Sequence, residues 1–140
     1  MNLQVGVKVL LKNADGKILI LKRSEEKYGK TNGSWDIVGG RIDPGTSLLE
    51  NLQREVLEET KLRITSEPKL IGAQDIIPNI ERHIVRLTYV AMTDGEPQLD
   101  LVEHDEYKWV SFQELTEESD LDTYVCMLIE EKLLTTNSWN

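Results

Sequence analysis

Val5, Val7, Val9 and Leu11 alternate with Gly6, Lys8 and Lys12 near the start of the chain, which is the two-residue period of a half-buried strand. Asn13-Ala14-Asp15-Gly16 supplies a turn, and Ile18 to Leu21 reads as the returning strand. Residues 23 to 34 are polar and carry Gly29 and Asn32-Gly33, so a loop is predicted there. Trp35 to Val38 is a short apolar run that stops at Gly39-Gly40, and Pro44-Gly45 marks another turn within Arg41 to Thr46. A helix follows: Ser47 and Glu50 have capping-box spacing, and Leu48, Leu49, Leu52 and Val56 recur on one helical face. Further strands are predicted near Lys69 to Ile76, from His83 to Ala91 and at Tyr107 to Val110, with a turn at Asp94-Gly95 and a closing helix over Leu121 to Leu134. Strands, helix, strands and helix in that order predict an α/β class with a helix–sheet–helix sandwich. A length of 140 residues predicts one domain over 1–140.

Charge changes the picture more than composition does. Lys and Arg number 16 against 25 Asp and Glu, a net −9, which argues against binding a nucleic-acid polymer or an anionic membrane. The segment Asp94 to Asp120 holds ten acids and one base, Lys108; most of these acids are expected on a solvated face. Cys126 is the only cysteine, so neither an internal disulfide nor a cysteine zinc cage is available. No apolar run approaches the ~20 residues of a membrane span, and the start MNLQVGVKVL has no signal-peptide pattern. A cytoplasmic protein is expected.

The chemistry concentrates in Arg54-Glu55-Val56-Leu57-Glu58-Glu59. On a helix Glu55 neighbours both Glu58 and Glu59, so three carboxylates share one patch. Like charges so spaced cost a few tenths of a kcal/mol per pair (~0.2–0.5), and the macrodipole disfavours anions near a helix C-terminus. A cation is therefore expected at that patch. Oxygen ligands suit hard ions such as Mg²⁺ or Mn²⁺, which bind substrate phosphates as well. Arg54 has the planar fork to hold a neighbouring glutamate in one rotamer. Gly39-Gly40, just before the helix, lets backbone approach a metal or phosphate closely. The alternative for the helix is a run of solvated glutamates, and for the glycines a plain strand end.

Gly40 to Leu62, GRIDPGTSLLENLQREVLEETKL, resembles the Nudix hydrolase box G-x5-E-x7-R-E-U-x-E-E-x-G-U, where U is a bulky aliphatic residue. Gly40, Arg54, Glu55, Val56, Glu58, Glu59 and Leu62 match at the family spacing. Trp35-Asp36, Pro44-Gly45 and the later EHDEYKWVSFQEL are also similar to the family. Thr46 stands where the box has its first glutamate, Lys61 where it has glycine, and Val38 where proline is common. A left-handed Lys61 would cost ~1 kcal/mol relative to glycine.

The resemblance implies a Nudix-type α/β/α sandwich around a mixed β-sheet. It implies water attack on the diphosphate bridge of a nucleoside diphosphate linked to another group, with nucleoside triphosphates or ADP-ribose-like compounds as the substrate class. It implies Mg²⁺ (or Mn²⁺) on Glu55, Glu58 and Glu59, with a Gly39 or Gly40 carbonyl as a further ligand and Arg54 orienting a carboxylate. Glu103 is the candidate for an added ligand or the general base, and Trp35, Tyr28 and Arg82 are candidate substrate contacts, each with a structural reading beside it. The expected partner is a small nucleotide, and a homodimer and a monomer stand equally open. The alternative is a Nudix-like module that binds a nucleotide without cleaving it; an isomerase of prenyl diphosphates would need a nucleophilic cysteine, for which Cys126 is badly placed. His83 and His104 are read as surface or packing residues, Cys126, Met92 and Met127 as core, and Trp139 as either docked or frayed.

Overall fold

A computed structural model describes residues 1–140. The strands are β1 (Asn2–Lys12), β2 (Ile18–Arg23), β3 (Trp35–Asp36), β4 (Val38–Arg41), β5 (Lys69–Asn79), β6 (Arg82–Met92) and β7 (His104–Val110). The helices are α1 (Glu25–Tyr28), α2 (Leu48–Thr60), α3 (Phe112–Glu117) and α4 (Thr123–Glu130). The sheet runs β3-β2-β1-β6-β5, with β4 also paired to β1 and β7 to β2. β1 and β6 run parallel in an unbroken register that includes Val7↔Leu87 and Leu10↔Val90, and the other pairings are antiparallel. The sheet is therefore mixed.

The two-residue period decides which core each side chain joins. Val7, Val9 and Leu11 of β1, with Leu19 and Leu21 of β2, pack with Leu52 and Val56 of α2. Leu10, Ile18 and Ile20 point to the other face and pack with Leu115, Val125 and Leu128 of α3 and α4. Helices thus cover both faces, which is why these strands read as near-continuous apolar runs. A register slip of one residue would exchange the two faces, so burial on both sides pins the pairing.

α2 begins where the pattern predicts, with the Ser47 hydroxyl accepting from the Glu50 N–H. It ends on Lys61, which adopts the left-handed conformation (φ 61°, ψ 9°) that the family box fills with glycine. Three elements depart from expectation. The stretch predicted as loop contains α1, capped by Ser24. α3 is an added helix with a complete capping box between Ser111 and Glu114. The closing helix is shorter than predicted: it stops at Glu130, and the chain then doubles back to return Leu134 to the core. Trp139 is docked, its indole N–H donating to the Leu10 carbonyl at 3.2 Å beneath the Lys12 ammonium.

The acids of 94–120 do more than face water. Glu96 accepts from Tyr107 and Trp109, Asp105 accepts the first N–H of α1, and Asp120 accepts from Gly33 and Ser34. Glu118 pairs with Lys108 at 2.6 Å.

Candidate active site

α2 lies along β4 and β1 because Leu52 and Val56 bury against Val7, Val9 and Val38. That docking turns the glutamates of the last turns of α2 toward the glycine pair of β4. Gly39 (φ 143°) touches β1 so closely that a Cβ there would sit 2.0 Å from the Val7 carbonyl oxygen, a position no other residue can occupy. Its N–H donates to both carboxylate oxygens of Glu59 at 3.3 Å. A Cβ on Gly40 would come within 2.7 Å of Glu55 Oε2. Arg54 donates to Glu55 Oε1 at 3.1 Å, to Asn51 Oδ1 at 3.0 Å and to Asp43 Oδ2 at 2.6 Å.

Gly39, Gly40, Glu55, Glu58, Glu59, Asp100 and Glu103 line one cleft of about 350 Å³ with Tyr28 and Arg41. Burial pushes the Glu59 carboxyl up to about 8, against the lowering effects of Lys8 and the Gly39 N–H. Glu55 is also pushed up by burial, in spite of Arg54. Glu58 is exposed on the cleft wall. Glu103 differs: it accepts from the Lys27 ammonium and the Tyr28 hydroxyl, and those hydrogen bonds hold its carboxyl below the usual range. No three of these carboxylates are gathered into a ready-made ion cage; Glu55 is turned to Arg54 and Glu59 to the Gly39 N–H. The donor set itself is all oxygen and hard, as a Mg²⁺ or Mn²⁺ site requires.

A second cavity of about 460 Å³ adjoins the cleft and shares Tyr28, Gly39, Gly40, Arg41, Glu59 and Glu103 with it. Its floor is a buried charge network. Asp36 accepts from Lys8 at 3.0 Å, from Arg23 at 3.3 Å and from the Ile37 N–H at 2.7 Å. Burial would raise Asp36, but Lys8, Arg86 and Arg23 outweigh it and hold the carboxyl well below the usual range. Asp122 caps α4 by accepting from the Tyr124 and Val125 N–H groups at 3.1 Å, and Arg86 Nη2 lies 3.0 Å from it. Burial lowers His104, whose Nδ1 has no partner.

Tyr28 and Arg82, expected as substrate contacts, line this cavity. Trp35, expected with them, does not: it is 8% exposed and packs in the core with Ile20, Val110 and Leu121, because β3 turns that side chain under α4 and leaves Asp36 to face the cavity. Lys8, Arg23, Asp36, Arg86 and Asp122 escaped the sequence reading as a group. A signal for two of them was present, since Lys8 and Arg86 interrupt otherwise apolar strands that the fold buries.

The NUDIX domain family matches residues 2–126. A Bacillus subtilis (strain 168) protein named for a proposed 8-oxo-dGTP diphosphatase activity is 34% identical over 106 residues, which are 76% of this chain and 65% of that protein. The human 8-oxo-dGDP phosphatase NUDT18 is 33% identical over 91 residues, 65% of this chain and 25% of that protein. The solved MutT protein from Methanosarcina mazei Go1 superposes with a TM-score of 0.78 at 28% identity, covering 92% of this chain and 91% of that one.

Proposed function

The chain belongs to the NUDIX family, and on that premise we propose that it is a pyrophosphohydrolase of nucleoside diphosphates linked to a further group, with nucleoside triphosphates, including oxidised ones, foremost. The names of the Bacillus and human relatives support the nucleotide class. The observation that carries the proposal is that Glu55, Glu58 and Glu59 share a cleft with Gly39 and Gly40, and that this cleft opens into a cavity large enough for a nucleoside.

A divalent cation on Glu55, Glu58 and Glu59 would offset the charge of the diphosphate bridge and lower the pKa of bound water. The chain's own residues do the rest. Arg54 keeps Glu55 in one rotamer, and a fixed carboxylate loses less entropy on binding. Gly39 and Gly40 put no side chain between β4 and the α2 glutamates, with which they line one cleft. Glu103, which lines the same cleft, would serve as a further oxygen ligand. A carboxyl held below its usual range has little affinity for a proton, which makes the ligand role stronger than that of general base. Arg41 and Arg82, at the mouth of the cavity, attract the polyphosphate in a protein of net charge −9.

The test is turnover of a panel of nucleoside triphosphates, oxidised triphosphates and ADP-ribose with Mg²⁺, beside Glu58→Gln. Removal of this carboxylate is expected to lower kcat by ~100-fold or more, each tenfold being ~1.4 kcal/mol of barrier. No turnover of any compound by the wild type would refute the proposal, as would equal turnover by the variant. The same measurement answers the reading as a non-cleaving nucleotide sensor.

A further inference from the structure

We propose that Tyr28, seconded by Lys27, is a positioning residue: the two donors hold the Glu103 carboxylate at the edge of the glycine cleft, so that its remaining lone pairs are free for a divalent cation. The inference deepens the hydrolase reading and rests on it.

Strand pairing brings these residues together. β2 and β7 are antiparallel neighbours, so α1, which follows β2, lies beside the segment that enters β7. Lys22 pairs with Glu106 and Arg23 with His104, which leaves Asp105 as an extra residue on β7. A bulge of this kind re-aims neighbouring side chains and recurs beside active sites. Here Asp105 accepts the Glu25 N–H at 3.0 Å, and the Glu103 carbonyl accepts the Ser24 N–H at 2.9 Å. Ser24 is buried, and its carbonyl accepts the Tyr28 N–H at 3.0 Å. On its other side, the Glu103 N–H donates to the Asp100 carbonyl at 3.0 Å. Main-chain bonds therefore fix α1 and Glu103 against one another before any side chain acts.

The side chains then select one rotamer. The Lys27 ammonium donates to Oε1 of Glu103, and the Tyr28 hydroxyl donates to Oε2. An ionised carboxylate has about four acceptor positions, so each oxygen keeps a free one. Glu103 and Tyr28 line the same cleft as Glu55, Glu58 and Glu59. A loose glutamate gives up rotamer freedom when it ligates a metal, and one already held gives up less. An exposed ion pair with Lys27 alone would hold it weakly. The hydroxyl on the second oxygen makes the hold two-pointed, and partners of this kind commonly govern metal affinity by ~10–100-fold. The Tyr28 hydroxyl, expected to meet the substrate, is thus committed to a carboxylate of the metal patch.

The test measures Mn²⁺ affinity without nucleotide, by electron paramagnetic resonance of the free ion. The proteins are the wild type, Tyr28→Phe, Glu103→Gln and the double variant, with each fold checked by circular dichroism. Tyr28→Phe removes one donor and no charge, whereas loss of Lys27 would also remove a cation near Mn²⁺ and oppose the effect. Tyr28→Phe is expected to weaken Mn²⁺ binding about tenfold. Glu103→Gln should weaken it at least as much, and the double variant no further than Glu103→Gln alone. A merely structural tyrosine would act equally in both backgrounds. A substrate contact would leave nucleotide-free Mn²⁺ affinity unchanged and raise KM instead. A loss below about threefold in Tyr28→Phe, an equal further loss in the Glu103→Gln background, or no Mn²⁺ binding by the wild type would overturn the inference. The expected Mn²⁺ pattern without turnover of any nucleotide would sink the hydrolase reading alone, and turnover with unchanged Mn²⁺ affinity in Tyr28→Phe would sink this inference alone.

Discussion

Asp36→Asn tests the charge network beneath the cavity. The side chain is buried (4% exposed), with Lys8 at 3.0 Å, Arg23 at 3.3 Å and Arg86 at 4.0 Å. The asparagine keeps the volume and removes the charge, leaving Lys8 without its acid in a site from which water is largely excluded. Breaking a buried pair in this way costs ~3–5 kcal/mol. The effect carries a pH signature. Because the folded carboxyl is held below its usual range, the charge stabilises the fold fully above the unfolded value, near ~3.9. As the pH falls below that value, the unfolded chain takes up a proton that the folded site refuses, and stability is lost at up to ~1.4 kcal/mol per pH unit. Urea unfolding from pH 7 to pH 3 is the assay. The gap between wild type and variant should be widest at pH 5 and above and should narrow below pH 4. In a double-mutant cycle, Lys8→Met should return part of the loss. A variant within ~1 kcal/mol of the wild type at pH 7, or a gap that stays constant down to pH 3, would refute the reasoning.

Other outcomes follow from single features of the structure. Lys61→Gly should stabilise by ~1 kcal/mol, raising Tm by roughly 3 °C, since Lys61 is left-handed at φ 61°; an unchanged melting curve contradicts this. Gly39→Ala should lose most of the folded protein at 37 °C, since its Cβ would meet the Val7 oxygen at 2.0 Å; a soluble variant with wild-type Tm would show that β4 does not need that contact. Glu59, pushed up to about 8 by burial, is protonated at pH 7 in the metal-free protein. The unfolded carboxyl ionises near 4.5 while the folded one keeps its proton up to about 8, so its contribution to metal-free stability is complete below about 4.5, falls across that interval and is gone above about 8; Glu59→Gln should flatten the decline of Tm between about pH 5 and pH 8. For the same reason Mg²⁺ binding at pH 7 should release about one proton, seen as a dependence of the calorimetric enthalpy on the buffer; no such dependence would contradict the assignment.

Much of this protein was legible from neighbours along the chain. The period of β1 and β2, the Ser47 cap and Leu52 and Val56 of the α2 stripe are local patterns that appear where they stand, whereas Leu48 and Leu49 of that stripe stay exposed in the first turn, outside the packed part of the helix. The grouping of Glu55, Glu58 and Glu59 on one face of α2 is local too, but the docking of Leu52 and Val56 on β1 and β4 was needed to bring them to Gly39-Gly40. α3 was written in Ser111 and Glu114 but is too short for periodicity to reveal. α1 and the early end of α4 were hidden for the opposite reason. α1 is tied to β7 by the Glu25 N–H to Asp105 bond, and α4 ends because Leu133 and Leu134 fold back onto the Leu128 carbonyl.

By itself, then, the amino-acid order specified the strands, the glutamate-bearing helix and the family box, since hydrophobic period and i,i+3 and i,i+4 spacing act over a few residues. Only the folded chain decided that Trp35 goes to the core while Asp36 faces the cavity, and that Lys8, Arg23, Asp36, Arg86 and Asp122 meet there. Lys8 and Asp36 are 28 residues apart and sit on different strands. Their meeting depends on strand order and register, which are settled by burying both faces of the sheet at once, and no local pattern carries that information.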